Sequence, residues 1–221
     1  MDSLEHAKSI GYSEQDLAGI PEGVVCHGCG NPTALAELKE GDTVLDLGSG
    51  GGLDALLAAR RVGPRGKVIG IDSSAQAVAK ATANAAKGNY ANVIFKQGAL
   101  GNLPVDDDSI DVVISNCVLN HAADKRAAFK EVFRCLKPNG RMVIADLVAE
   151  GRFSDEALQD KVWGEWLRSA AGMQDYLKSI EEAGLKEVAV VRRTTFPMAE
   201  SDERLRGRIV NIAVKARKSA G

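Results

Sequence analysis

The stretch VLDLGSGGGLDALL, residues 44–57, limits the fold more than any other part of the chain. A short apolar run ends in glycines and passes at once into apolar residues at helical spacing. That is a strand-to-helix turn in which bare backbone comes close to something else. The alternation then repeats. Runs rich in β-branched or apolar residues stand at 43–48, 67–72, 92–97, 110–116 and 141–148. Helix-like stretches separate them: LDALLAARRV, SAQAVAKATANAAK and DKRAAFKEVFRCLK, the last closed by the stop signal KPNG. Such alternation makes βαβ units, whose right-handed crossovers lay the strands into a parallel sheet covered on both faces.

The expected fold is therefore α/β, a Rossmann-like doubly wound and mostly parallel seven-stranded sheet. After Val148 the pattern changes. Residues 154–184 read as helical and are followed by strand-like runs near 187–193 and 208–215, which should pair as an antiparallel edge. The tail alternates Ile209, Asn211 and Ala213 against Val210, Ile212 and Val214, as a final strand does. Residues 1–40 carry a weak helix pattern, NPTALAELKE, after the turn-rich CHGCGN, and read as a helical cap. At 221 residues the chain suits one domain: a cap at 1–40, a core at 41–150, then helices and edge strands at 151–221.

In a doubly wound sheet, ligands sit at the carboxyl ends of the strands, so the loop after the first strand is the place to seek one. Its glycines fall at 48, 50, 51 and 52, with leucine at 53, which departs from the G-x-G-x-x-G of a dinucleotide site. Charge separates the ligands further. Asp46 before the turn and Asp54 at the helix start would repel a pyrophosphate, which needs the positive helix end for itself. A nucleoside bearing a cationic amino acid fits better, with its ammonium at the loop in the field of Asp46. S-Adenosylmethionine has that form. Asp72 ends the second strand, about 20 residues beyond the loop, where an acid accepts ribose hydroxyls, with Ser73 beside it.

The succession VLDLGSGGG, VIGID, LP at 103–104, ISNCVLNH and LKPNGRMVIAD resembles the class I S-adenosylmethionine-dependent methyltransferases over about 44–148. The resemblance implies that Asp46, Gly48, Ser49, Gly50 and Gly52 hold the methionine end and Asp72 the ribose. It also implies that Asn116 lies beside the transferable methyl. These enzymes often carry an acid after the third strand for the adenine amino group. This chain has Ala99 there, so backbone groups of Gly98, Ala99 and Leu100 would have to serve.

HGCGNP together with SNCV resembles the arsenite methyltransferases in particular, and implies that Cys29 and Cys117 are arsenic ligands. Trivalent arsenic is soft and thiophilic, so thiolates suit it, and its lone pair has no proton to lose on methylation. One departure stands out. The family carries a third arsenic-binding cysteine in a segment falling near WGEWLRSAAGM, whereas this chain has no cysteine after Cys135. Cys26, or an external thiol such as glutathione, would have to complete a three-thiolate site; otherwise the enzyme handles species that need two thiols. The family's C-terminal extension is also expected to be absent or minimal.

Other readings of these residues stay open. C-x-x-C at Cys26 and Cys29 invites zinc or redox chemistry, but no second ligand pair or thioredoxin-like helix follows, and no resident metal is expected. His121 is a candidate general base for an oxygen, nitrogen or carbon acceptor, or else a helix-entry residue beside Asp124. His27 adjoins Cys26 without a spacing that assigns it a role. Trp163 and Trp166 suit a core or a pocket wall, and Cys135 a helix core. The alternatives to arsenic methylation are therefore a small-molecule methyltransferase using His121, and a non-catalytic sensor of S-adenosylmethionine or a metalloid.

A net charge of −2 and a pI near 6.0 offer no broad attraction to nucleic acid or anionic lipid. MDSLEHAKSI lacks a signal peptide's basic start and apolar run, and no apolar run reaches membrane-spanning length. Four unevenly spread cysteines do not suggest a disulfide framework. A cytoplasmic protein with reduced thiols is expected.

Overall fold

The computed structural model describes residues 3–161, 163–200 and 202–220. Its elements run in the order α1 (Ser3–Ser9), α2 (Glu14–Leu17), α3 (Pro32–Leu35), β1 (Thr43–Leu47), α4 (Leu53–Val62), β2 (Lys67–Asp72), α5 (Ala75–Lys87), β3 (Val93–Gln97) and β4 (Ile110–Asn116). A 3-10 turn at Leu119–His121 leads to α6 (Lys125–Cys135) and β5 (Leu136–Ala149). Then follow α7 (Asp155–Leu158), α8 (Gly164–Ser169), α9 (Met173–Glu182), β6 (Lys186–Thr195), α10 (Pro197–Glu200) and β7 (Ile209–Arg217).

The seven strands form one sheet in the order β3-β2-β1-β4-β5-β7-β6. The first five are parallel, β7 runs antiparallel to β5, and β6 is antiparallel to β7. The expected antiparallel edge is present, with two differences. The reversed strand lies inside β6, and a short helix, α10, separates the pair. KPNG proves to be part of β5. The register jumps between Ile110 opposite Leu136 and Val112 opposite Arg141, so the segment is absorbed as a bulge, with Asn139 at φ 65°. The long helical run expected at 154–184 is broken into α7, α8 and α9, and the cap helix near 31–40 shrinks to α3.

Parallel strands buried on both faces explain the unbroken apolar runs. One face packs Leu45, Leu47, Val113 and Ile144 against Phe129 of α6 and Tyr176 of α9. The other packs Val44, Val112 and Ile114 against the small residues Ala55, Ala58 and Ala59 of α4, whose short side chains let the helix lie close to the sheet. Fully burying one such branched side chain contributes about 1.5–3 kcal/mol. Among the described residues, no helix is long and apolar enough to cross a membrane.

The sheet order reverses between β1 and β4. The chain leaves β1 toward β2 on one side, while β4 and β5 build out on the other. At such a switch point the loops beyond the strands splay apart and leave a crevice.

Candidate functional site

The loop from Gly48 to Gly52 fills one side of that crevice. Gly48, Gly50 and Gly52 have φ of 70°, 51° and 95°, which branched or bulky residues adopt only under strain. At Gly48 space is equally decisive, because a Cβ there would lie 2.2 Å from Val118. The loop is hung from the neighbouring strand by Gly48 N and Ser49 N donating to the Ile71 carbonyl at 2.8 and 3.0 Å. The Asp72 carboxylate accepts from Gly50 N at 2.9 Å and from Ser74 N at 2.9 Å, which ties the loop to the start of α5.

A cavity of about 150 Å³ lies over this loop. Asp46, Gly48, Ser49, Gly50, Asn116 and Cys117 are among its walls. Asp46 is 2 % exposed, and both its Oδ2 and the Ser49 Oγ are buried without a hydrogen-bond partner. Burial, followed by the nearby Asp54 charge, raises the Asp46 carboxyl well above the usual range. Burial likewise raises Asp54 to about 6, although hydrogen bonds from Tyr12 and Asn116 pull it down. Two desolvated carboxylates and an unpartnered acceptor make a wall that favours a cationic donor. Gly52, Asp72, Ser73, Gly98, Ala99 and Leu100 are not among the residues around this cavity. They continue outward from it along the strand ends, where Gly98 N donates to the Asp72 carbonyl at 3.0 Å.

Asn116 sits at the end of β4 and joins the cap to the sheet. Its Oδ1 accepts from Cys29 N at 2.9 Å and Gly30 N at 3.2 Å. Its Nδ2 lies 2.7 Å from the Gly30 carbonyl, 3.0 Å from Tyr12 Oη and 3.1 Å from Asp54 Oδ2. Tyr12 Oη in turn donates to Asp54 Oδ1 at 2.7 Å. This explains HGCGNP from the residues up. Gly28 and Gly30 lie so flat on the sheet end that a Cβ would stand 2.2 Å from Asn116 in one case and 2.7 Å from Ala145 in the other. Asn31 then caps α3 through Ala34 N at 3.0 Å, with Pro32 as the first helical residue.

The cap thereby carries Cys29 to Cys117. Cys29 is 1 % exposed, its amide held by Asn116 and its carbonyl accepting from the Asn211 side chain. Cys117 follows β4 with φ 63°, a left-handed conformation that a non-glycine residue holds at a cost of order 1–3 kcal/mol. Its amide donates to the Ala145 carbonyl at 2.7 Å.

Cys29 and His121 both stand next to the Cys117 thiol and influence its ionisation. The neighbouring Cys29 leads in lowering Cys117 to about 6, with His121 assisting against the effect of burial. Burial leads in raising Cys29, which therefore remains the protonated partner. Pairing with Cys117 raises the His121 imidazole. His121 therefore stands beside Cys117, where its raised imidazole favours a neighbouring thiolate.

Behind the thiols lies Asp146 on β5, 1 % exposed and raised to about 7 by burial and then by the Cys117 charge. It accepts from Asn120 N at 2.8 Å and from Tyr176 Oη at 2.9 Å. In front of them opens a cavity of about 650 Å³ bounded by Cys26, Cys29 and Cys117, with His6, His27 and Phe196 around it. Trp163 packs edge-on to Trp166 at 6.2 Å and to Phe196 at 6.3 Å against a buried apolar cluster that includes Cys29; of the three rings, Phe196 lines the chamber. Cys135 is buried in α6 away from it, and all four thiols are free.

Tyr12, Asp146 and Tyr176 were not singled out from the sequence. Tyr12 stands in a segment without strong periodicity, and Tyr176 reads as one more helical core residue. Asp146 had one usable signal: a carboxylate late in an otherwise apolar central strand needs partners to be buried.

A family model described as a methyltransferase domain matches residues 38–184. The arsenite methyltransferase of Halobacterium salinarum is 40 % identical over 220 residues, which is 97 % of this chain and 56 % of that protein. The arsenite methyltransferase of Aquipseudomonas alcaligenes is 36 % identical over 183 residues, 79 % of this chain and 52 % of that protein. The chain thus spans about half the length of these curated relatives. The crystal structure of an arsenic(III) S-adenosylmethionine methyltransferase from Chlamydomonas reinhardtii superimposes with a TM-score of 0.78 at 30 % identity. That match covers 93 % of this chain and 72 % of the other.

Proposed function

From the premise that this chain belongs to the methyltransferase-domain family, with arsenite methyltransferases among its relatives, we propose that it moves a methyl group from S-adenosylmethionine to trivalent arsenic held by Cys29 and Cys117. The observation that carries this reading is that Cys29 and Cys117, far apart in sequence, line one chamber beside the glycine loop. A soft, thiophilic element is the natural guest of two such thiols.

Each residue's part follows from its surroundings. Asp46 and Ser49 present unpartnered oxygens to the donor's amino-acid end, which a cavity of about 150 Å³ accommodates. The backbone of Gly48 and Gly50 lets that end approach, while Gly52 turns the chain into α4 against Phe95. Asp72 keeps lone pairs for ribose hydroxyls beyond those given to Gly50 and Ser74, with Ser73 and the backbone of Gly98, Ala99 and Leu100 flanking the nucleoside. Bound S-adenosylmethionine supplies an electrophilic sulfonium methyl, open to an arsenic lone pair without removal of a proton. Asn116, its amide already committed to the cap and to Asp54, holds the donor wall and the thiol wall in fixed relation. His121 keeps Cys117 ionised, and the chamber walls exclude water from the acceptor.

Labelled donor offered with arsenite, methylarsenite or a panel of phenols and quinols tests this. The expected outcome is arsenic methylation that is lost in Cys117→Ser. Methylation of an organic acceptor that survives Cys117→Ser but fails in His121→Ala would replace this reading with base catalysis at His121. Donor binding without consumption of any acceptor would make the protein a sensor.

A further inference from the structure

We propose that Cys26 supplies a third thiolate to the arsenic held by Cys29 and Cys117, an inference that rests on the arsenic reading above. The large chamber is bounded by three cysteines, Cys26, Cys29 and Cys117, drawn from two segments far apart in sequence. Cys26 and Cys117 also line the smaller cavity over the glycine loop, so these two thiols stand at the boundary between the donor and acceptor sides. The fourth cysteine, Cys135, is shut inside α6, and no cysteine follows it.

Two thiolates leave trivalent arsenic with one hydroxide. A soft ion seeks a further soft ligand, and Cys26 is the remaining thiol within the same chamber. In the unliganded fold the three sulfurs are not already gathered. Among the described residues, no group of three Cys, His, Asp or Glu side chains is placed to hold a metal ion.

The chain allows the remaining movement. Residues 24–28 have no regular secondary structure and follow Gly23, which has φ 93° and open space where a Cβ would stand. Two hydrogen bonds from α1 tie this segment down: Ser3 Oγ accepts from Cys26 N at 2.9 Å, and His6 Nε2 donates to the Gly28 carbonyl at 2.8 Å. Cys29 and Cys117, by contrast, are fixed to the sheet through Asn116 and Ala145. The rigid pair binds first and Cys26 closes last.

Each exchange is balanced. A sulfur–arsenic bond forms and an arsenic–oxygen bond breaks, and the hydroxide leaves as water with the thiol proton at Cys26 and Cys29 and with a proton from the His121 imidazolium where Cys117 enters as thiolate. Arsenic stays trivalent throughout, and a three-coordinate product keeps the lone pair that the methyl transfer needs.

The test is arsenic X-ray absorption of the full chain with one equivalent of arsenite, under nitrogen in buffer free of added thiol. The expected spectrum shows three sulfur neighbours and no oxygen. Cys26→Ser should show two sulfurs and one oxygen, with arsenite bound roughly 100-fold more weakly for want of a tethered arm. Cys135→Ser should keep three sulfurs. A wild-type spectrum with two sulfurs and an oxygen overturns the proposal, as does a third sulfur that enters only when glutathione is added. Three sulfurs persisting in Cys26→Ser would do the same, with circular dichroism confirming that this variant is folded. If the wild-type chain binds no arsenic at all, the arsenic reading falls and this inference falls with it.

Discussion

The glycine-loop side and the thiol side of the crevice are built on different principles. The first is local: Asp46, the glycines and Asp54 lie within one strand-turn-helix unit, with Asp72 one strand away. The second is assembled from Cys29 in the cap, Cys117 and His121 after β4, Asp146 on β5 and Phe196 ahead of β7. A local unit keeps its geometry through its own turns and hydrogen bonds. An assembled one depends on every long-range contact that brings its parts together. Chemistry at the acceptor side should therefore be removable while the donor side stays intact, and the reverse should also hold.

Cys117→Ser is the strongest test of that separation. On the proposed reading, arsenite methylation should fall at least about 1,000-fold, roughly 4 kcal/mol of transition-state stabilisation, the loss expected on removing a thiolate ligand. Affinity for S-adenosylhomocysteine, measured by calorimetry, should change by less than about threefold. Parallel losses in both would mean that the two sides act as one site.

Asn116→Ala should break both sides together. The substitution strands Cys29 N, Gly30 N and the Gly30 carbonyl, and removes a partner from Tyr12 and Asp54. Buried groups left unpaired cost about 1–3 kcal/mol each, so chemical denaturation should report a loss of roughly 3 kcal/mol even after partial relaxation. Weaker uptake of both donor product and arsenite should accompany it. A variant that loses only donor binding would show that the cap is not positioned through this amide.

Asp46→Asn restores the separation from the other direction. Donor-product affinity should fall about tenfold or more, because an ammonium loses a charge-assisted partner. Arsenite uptake by the thiols, followed by competition with a dithiol chelator, should stay unchanged. Equal donor affinity in the variant would place the ammonium elsewhere.

The same contrast explains what was legible in the chain. The strands, the loop and the carboxylates of the donor side announce themselves because periodicity and glycine spacing act over a few residues. Cys29 and Cys117 were singled out through their flanking residues, yet nothing in those residues reveals that one chamber wall brings them together from 88 positions apart in sequence. KPNG does follow the end of α6, but that it also lies within β5 was not legible, because a turn-forming tetrapeptide makes a bulge only once a neighbouring strand such as β4 takes up the slack. Tyr176 and Asp146 escaped notice because each is ordinary in its own element and matters only through the other.

The smallest effect is also the one that compares the two sides most directly. Burial raises Asp54 to about 6, whereas the neighbouring Cys29 lowers Cys117 to about 6, so both sides change charge in the same pH range. The consequences for the free protein have opposite signs. A carboxyl raised above its unfolded value of 3.8 stabilises the fold below that value, and this contribution is lost as pH rises through about 6. A thiol lowered from 9.0 stabilises the fold above that value, and this contribution is lost as pH falls through about 6.

An ammonium on the donor side reverses the carboxylate's penalty, because it favours the ionised form. The rise in Tm produced by S-adenosylhomocysteine should therefore grow between pH 5 and 7.5. At about 1 kcal/mol of added linkage, the expected increase is roughly 2–4 °C for a chain of this size. Differential scanning fluorimetry at constant ionic strength measures it, and Asp54→Asn should flatten the trend. A wild-type increment independent of pH would mean that the buried carboxylates do not face the ligand's charge, and the donor side would then be held by its backbone alone.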